Sequence, residues 1–388
     1  MEFRELKEKD GKYIAATYNR FSAEIYDGNG ATLRSEDGKE YIDFGSGIAV
    51  NSFGVNDREW KDAVIAQINK VQHASNLYYT RPQAELAELL CEKTGARKVF
   101  FSNSGAEANE CAIKAARKYS FDKYGEGRFH IVTLKNSFHG RTMATLSATG
   151  QDVMHKYFMP FLGGFSYAEP TFAGVKKECG NGTCAVMLEL VQGEGGVKAL
   201  DATEVKKIEA FCKSNDILLI IDEVQTGNGR TGRLYAYEHY GISPDIVTTA
   251  KGLAGGLPLG ATMFFEKCEN TFSAGDHGST FGGNPVACAG ALSILSRIDE
   301  KLLLEVQGKS AYLRTHLGRI ANVVEVSGLG LMIGLEITKN AREVAEKCLE
   351  RGLIVLTAKN KIRLLPPLTV SKGEMDAGLK ILNEVLSE

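Results

Sequence analysis

An α/β fold, in which a large unit built on a mainly parallel sheet carries a smaller α+β unit drawn from both ends of the chain, is what this sequence predicts. Three observations lead there. Five short apolar runs, "KVFFS" at 98–102, "FHIVTL" at 129–134, "CAVMLEL" at 184–190, "ILLIID" at 217–222 and "DIVTTA" at 245–250, alternate with stretches of helical spacing. Their length and β-branched content suit strands buried on both faces and joined by crossover helices. A turn-rich segment of strand-like alternation precedes them, and a mixed run of helices and strands follows them.

Taken in order, "EIYDGNGATLRSEDGKEYIDF" at Glu24–Phe44 carries turn signals at Asp27–Gly28 and Asp37–Gly38 and reads as a small antiparallel meander. "REWKDAVIAQINKVQ" and "PQAELAELLCEKT" then have the 3.6-residue rhythm of helices. The five apolar runs fill the middle of the chain. Beyond about Gly283, "NPVACAGALSILSRI" begins a helix, followed by strand-like "VVEVSG" and "LMIGLEI", helical "AREVAEKCLERG", strand-like "LIVLT" and "KIRLLPP", and a last helix that Ser371 and Glu374 open with a capping box. The expected division is 1–54 as the N-terminal part of the small domain, 55–283 as the large domain, and 284–388 as the rest of the small one.

Composition excludes some function classes. Of 388 residues 44% are hydrophobic and 24% charged, and the formal net charge of −2 is spread over interspersed acids and bases. That distribution offers none of the basic stripes that nucleic-acid binding needs. The opening "MEFRELKEKDGKY" lacks an apolar signal region and no run of apolar residues is long enough to span a bilayer, so a cytoplasmic location is expected. The eight cysteines lie among apolar neighbours without C-x-x-C spacing, which favours reduced buried thiols over disulfides or metal ligands.

"DEVQTGNGRTG" at 222–232 contains G-x-G-x-x-G in Gly227, Gly229 and Gly232, the pattern of a dinucleotide site. Such a site also needs a helix opening on the third glycine and an acid ending the next strand. Neither requirement is met: "RLYAYEHYGISPD" is too short for a crossover helix, and the next strand delivers Lys251. A nicotinamide-dependent dehydrogenase is therefore a distant alternative.

The carboxyl ends of parallel strands are where such sheets hold ligands. Here they present Asp222 and Glu223, Lys251, "NSGAEA" and "KNSFHGRT". An acid behind an apolar strand requires a cationic partner. A lysine between "DIVTTA" and "GLAGGLPLGA" is expected to be desolvated and so to keep a nucleophilic amine. The helix opening near Ala106 offers free N–H groups to a phosphate. Singly these could be an ion-pair partner, a surface lysine and an ordinary loop. Together they are the three parts that pyridoxal phosphate chemistry requires.

"DEVQTGNGRTG", "TTAKGLAGGLPLGA", "SNSGAEANE", "NSFHGRT" and "HGSTFGGNPVACA" together resemble the class III aminotransferases of pyridoxal phosphate fold type I, over Tyr18 to the C-terminus. The resemblance implies Lys251 as the lysine that binds pyridoxal 5'-phosphate covalently and Asp222 as partner of its ring nitrogen. It implies Phe138 stacked on the ring, Ser104, Gly105 and Ala106 around the phosphate, and Gln225 near the phenolic oxygen. Thr280 would reach the phosphate of a neighbouring subunit, making a homodimer part of the site. Without the resemblance Phe138 reads as core and Thr280 as a turn hydroxyl.

Substrate choice would fall to Arg141 and Arg363, since a guanidinium grips a carboxylate bidentately. Glu194 in "QGEGG" would cover Arg363 when the donor is a terminal amine, and Ser279 and Tyr18 would line the substrate end. His139 reads as a packing histidine rather than a base. Gly47 and Ile48 in "GSGIAVN" resemble the branch of the family that acts on N2-acetylornithine with 2-oxoglutarate, in arginine biosynthesis, while succinylornithine, ornithine and 4-aminobutyrate remain open as alternatives. One departure is clear: "SFGVNDREW" stands where the family usually has a G-H-x-H-P-like turn.

Overall fold

A computed structural model describes residues 2–388. The meander is present as β1 (Asp27–Asn29), β2 (Thr32–Arg34) and β3 (Glu40–Asp43), paired antiparallel in sequence. Its second turn lies at Asp37–Gly38 as expected, where Gly38 has φ +86° and the Lys39 N–H donates to Asp37 Oδ1. The first does not. Asp27 and Gly28 are inside β1, opposite Arg34 and Leu33, and the chain reverses at Gly30–Ala31 with Gly30 at φ +59°.

After β3 the backbone makes a turn that the sequence did not announce. Ser46, Gly47, Ile48 and Ala49 take φ values of 47°, 60°, 68° and 61°, a left-handed turn containing three residues with side chains. Each such residue costs about 1–2 kcal/mol. Asp43 offsets part of that cost, because its Oδ1 accepts hydrogen bonds from the Gly45 and Ser46 N–H groups at 2.8 Å each. Asp43 also faces the buried Arg230, whose Nη1 donates to the Leu331 and Pro366 carbonyls and whose pKa burial pushes down to about 9. We expect Asp43→Ala to cost about 2–4 kcal/mol, since it frees two N–H groups and strands a buried guanidinium. Thermal unfolding checks this: an unchanged midpoint would contradict it.

The central strands are β4 (Lys98–Ser102), β5 (His130–Leu134), β6 (Phe165–Ala168) and β7 (Thr183–Leu188); a two-stranded ribbon of β8 (Val191–Gln192) and β9 (Lys198–Ala199) follows. Next come β10 (Leu218–Asp222), β11 (Ile246–Thr249) and β12 (Gly260–Phe264). They form a seven-stranded sheet in the order β4-β12-β11-β10-β7-β5-β6, parallel except for β12. Every residue of β7, β10, β11 and β12 is buried, as expected for a sheet covered on both faces. The helix Gly105–Tyr124 packs against β4, β11 and β12. Ser104 caps it by accepting from the Glu107 N–H at 3.2 Å.

In the last third, β13 (Val323–Leu329), β14 (Met332–Ile337), β15 (Leu353–Ile354), β16 (Leu356–Ala358) and β17 (Lys361–Leu364) build two further sheets. One has the order β13-β14-β17-β16; in the other β15 joins the meander, parallel to β3, so this sheet draws on both ends of the chain. The last helix, Lys372–Ser387, opens with the expected capping box of Ser371 and Glu374. Of the eight cysteines six are buried and none is in a disulfide, among the described residues. No helix among them is long and apolar enough to cross a membrane.

Candidate active site

Five parallel strands run toward one cavity of about 390 Å³, whose walls include Ser104 and Gly105 after β4, Phe138 and Arg141 after β5, Glu189 after β7, Asp222 and Gln225 at and after β10, and Lys251 after β11. This volume lies within the range of small-molecule sites. The dinucleotide motif serves the backbone instead. Gly229 and Gly232 have φ values of 85° and 84°, a Cβ on Gly227 would meet Tyr235 at 2.7 Å, and the helix that follows spans Tyr237–Tyr240, four residues.

Asp222 is 4% exposed and accepts three hydrogen bonds. Asn109 Nδ2 donates to Oδ2 at 2.8 Å, His139 Nδ1 lies 2.8 Å from the same oxygen, and the Val224 N–H donates to Oδ1 at 3.0 Å. Thr248 Oγ1 orients Asn109 by donating to its Oδ1 at 2.7 Å, and the Asn109 amide also donates to the His139 carbonyl. His139 is therefore packed, as the sequence suggests, but with a polar task besides packing: it steers Asp222. Glu223, the next acid, points into the core, where burial raises its pKa to about 7 and the Tyr237 N–H donates to it at 2.8 Å.

Lys251 sits two residues beyond β11 with φ +44°, a conformation that residues with side chains adopt at a cost. Burial lowers the pKa of its amine; Glu194 and Asp222 work against that effect and Arg363 with it. Desolvation of this lysine is thus a feature of its environment. At the other wall, Gly105 and Ala106 occupy the first turn of the long helix, where backbone N–H groups have no carbonyl within the helix to bond. Gly105 is required there because a Cβ would come within 2.6 Å of Val224.

Phe138 is half-buried, and the Arg141 guanidinium lies 5.6 Å from its ring centroid, exposed at the cavity mouth. Arg363, on β17, is 3% exposed and reaches the cavity wall, with Nη1 donating to Glu194 Oε1 at 2.5 Å and to Gln225 Oε1 at 3.2 Å. Gly193 leaves room for this contact, since a Cβ would lie 2.6 Å from Gln225 Oε1. The structure therefore brings together Ser104, Gly105, Ala106, Phe138, Arg141, Gln225, Asp222 and Lys251, with Arg363 and Glu194 joined to them through Gln225.

Three expected site residues lie elsewhere in the single chain. Thr280 is exposed and Tyr18 is 74% exposed, with the Arg20 guanidinium over its ring, and neither lines the cavity. Ser279 is tied to the wall indirectly, its Oγ accepting from Asn103 Nδ2 at 3.2 Å. Sequence reading missed Asn109 and Glu189. The signal for Glu189 was a lone acid inside the apolar run "CAVMLEL".

A desolvated amine, a carboxylate held by three donors, a flat aromatic and a helix N-terminus around one cavity fit pyridoxal phosphate, whose aldehyde, ring nitrogen, ring face and phosphate need those four groups. A profile of the aminotransferase class-III family matches residues 13–386. The chain belongs to the class III aminotransferases. The family uses pyridoxal phosphate, and this protein is a transaminase dependent on it. The chain is 50% identical over 388 residues to an acetylornithine aminotransferase of Haemophilus ducreyi, covering 99% of each. It is 46% identical to that of Caldanaerobacter subterraneus, covering 97% of this chain and 98% of the relative. Among solved structures, the ornithine aminotransferase of Toxoplasma gondii superposes with a TM-score of 0.95 at 28% identity, covering 100% of this chain and 95% of that one. The N-acetylornithine aminotransferase of Stenotrophomonas maltophilia gives a TM-score of 0.85 at 32% identity, covering 98% of each.

Proposed function

We propose that this aminotransferase moves the δ-amino group of N2-acetylornithine to 2-oxoglutarate, giving N-acetylglutamate 5-semialdehyde and glutamate. The observation that carries the reading is the Glu194–Arg363 pair at 2.5 Å beside the cavity. The two amine carriers of this reaction differ at the reacting carbon: the δ-carbon of acetylornithine bears no carboxylate, whereas the reacting carbon of glutamate does. A guanidinium covered by an acid suits the first, and the same guanidinium uncovered suits the second. Full-length relatives that carry the acetylornithine name support the same donor.

Bound in the cavity, pyridoxal phosphate supplies a carbonyl that takes up the amine and a ring that accepts the electron pair left when the neighbouring C–H ionises. The chain's own residues do the rest. Lys251 Nζ, whose amine form burial favours, would take the proton from the reacting carbon and deliver it to the carbon of the cofactor's carbonyl. Asp222 would accept from the ring nitrogen and so favour a proton there, while Asn109 and His139 keep its carboxylate in place. Phe138 would cover one ring face, Gln225 would approach the phenolic oxygen, and Ser104, Gly105 and Ala106 would take the phosphate at the positive end of their helix. Arg141, at the mouth, grips the carboxylate remote from the reacting amine.

Thr280, exposed on its own chain, would complete the phosphate site of a second copy, which makes the active form a homodimer. Residues 55–283 would then form the cofactor-binding unit, flanked by 1–54 and 284–388.

Glu194→Ala tests the switch. It uncovers Arg363 permanently, so the ratio of kcat/KM for N2-acetylornithine to that for glutamate should fall by about ten- to a hundredfold, or roughly 1.4–2.7 kcal/mol. An unchanged ratio would contradict the reading, and a higher kcat/KM for ornithine than for N2-acetylornithine in the unmodified enzyme would replace the donor.

A further inference from the structure

Glu189 is an ionisable cavity residue for which the reaction scheme above has no use. It follows β7, whose Leu188 is the register partner of Ile221 on β10, so the next pair along the two strands is Glu189 beside Asp222. Both carboxyls are buried, at 7% and 4% exposure, and both line the cavity. Their partners are unequal. Asp222 receives three hydrogen bonds, whereas Glu189 receives one, from the Phe138 N–H to Oε2 at 2.8 Å, and its other oxygen has no protein donor among the described residues.

Two neighbouring carboxyls in a desolvated site do not both ionise readily, and the charge settles where the donors are. Here that is Asp222. Burial first, and then the charge of Asp222, raise the pKa of Glu189 well above the ordinary range; the Phe138 N–H and Lys251 oppose this and Glu194 adds to it. Of the other ionisable groups at the cavity, Arg363 is engaged by Glu194 and His139 by Asp222, while the Arg141 guanidinium lies over Phe138.

We propose that Glu189 is the uncharged partner of Asp222, a positioning residue whose carbonyl oxygen holds the Phe138 backbone and whose O–H donates into the cavity. A neutral Glu189 also serves Lys251. A second ionised carboxylate beside that amine would raise its basicity, as Glu189 would if it carried a charge. The inference rests on reading the cavity as the pyridoxal phosphate site.

Glutamine reproduces a protonated glutamate, with one oxygen to accept from Phe138 and one N–H to donate, whereas it cannot reproduce a charge. The test is the visible absorption of holoenzyme-bound pyridoxal phosphate against pH, with cofactor affinity measured separately, for the unmodified protein, Glu189→Gln and Glu189→Leu. We expect the absorption midpoint of Glu189→Gln to stay within about half a pH unit of the unmodified protein, the range of a neutral exchange. Glu189→Leu, which strands the Phe138 N–H, should bind the cofactor at least about tenfold more weakly. A larger downward shift in Glu189→Gln would mean that a charge had been removed and would overturn the proposal, as would undiminished cofactor affinity in Glu189→Leu. If the unmodified protein itself showed no cofactor band, the reading of the cavity would fail and not this refinement of it.

Discussion

Lys251→Ala is expected to lower kcat by about 10⁴-fold or more. In the proposed reaction the lysine would have two tasks, covalent attachment of the cofactor and proton transfer at the reacting carbon, and general acid–base catalysis alone is worth about 10²–10⁴. Its environment suits both: the backbone takes φ +44° just beyond β11, and burial lowers the pKa of the amine. The other groups proposed to hold the cofactor, Asp222, Phe138 and the Ser104–Ala106 turn, would remain, so the variant should still bind pyridoxal phosphate, more weakly. Steady-state turnover with N2-acetylornithine is the check. Activity within tenfold of the unmodified enzyme would remove Lys251 from the mechanism.

Asp222→Asn is the second large effect, expected at about 10²–10³-fold in kcat, the magnitude of removing a preorganised electrostatic partner. The exchange preserves shape but not charge. It also sets an amide N–H₂ or a neutral oxygen against Asn109 Nδ2 and His139 Nδ1, which now both donate to one carboxylate oxygen. The ring nitrogen would lose the acceptor that keeps it protonated. Far-ultraviolet circular dichroism should be unchanged, because Asp222 ends a strand whose ladder bonds are made by backbone. Turnover within a few-fold of the unmodified enzyme would contradict the role.

Strands with strong local signals were legible in the sequence. β4, β5, β7, β10 and β11 lie within one or two residues of the apolar runs that announce them, because a strand buried on both faces has to be apolar throughout. β12 was not legible. Its sequence "GATMF" opens with small residues, and it is a strand because β4 and β11 flank it and supply both sets of backbone partners. β6 is an edge strand, half-buried over most of its length, and its "FSYA" has no apolar periodicity to read. The left-handed turn at Ser46–Ala49 depends on Asp43 capping, a contact between residues whose own preferences point elsewhere.

The site divides in the same way. Asp222 and Lys251 could be read because each ends a strand, and the open sheet assembles strand ends. His139, Asn109 and Glu189 could not be assigned from local sequence, since their meaning is the approach of three different elements to one carboxylate. Arg363 and Glu194 were read through the family resemblance, and the 2.5 Å contact between them is a property of the fold, joining β17 to the loop between β8 and β9.

The most direct measurement is the visible spectrum of the purified protein with pyridoxal phosphate bound, recorded as N2-acetylornithine and then 2-oxoglutarate are added. The account predicts that the first addition removes the band of the lysine-bound cofactor and the second restores it, with glutamate formed in proportion. A band that N2-acetylornithine leaves unchanged, in protein that does bind the cofactor, would contradict the account.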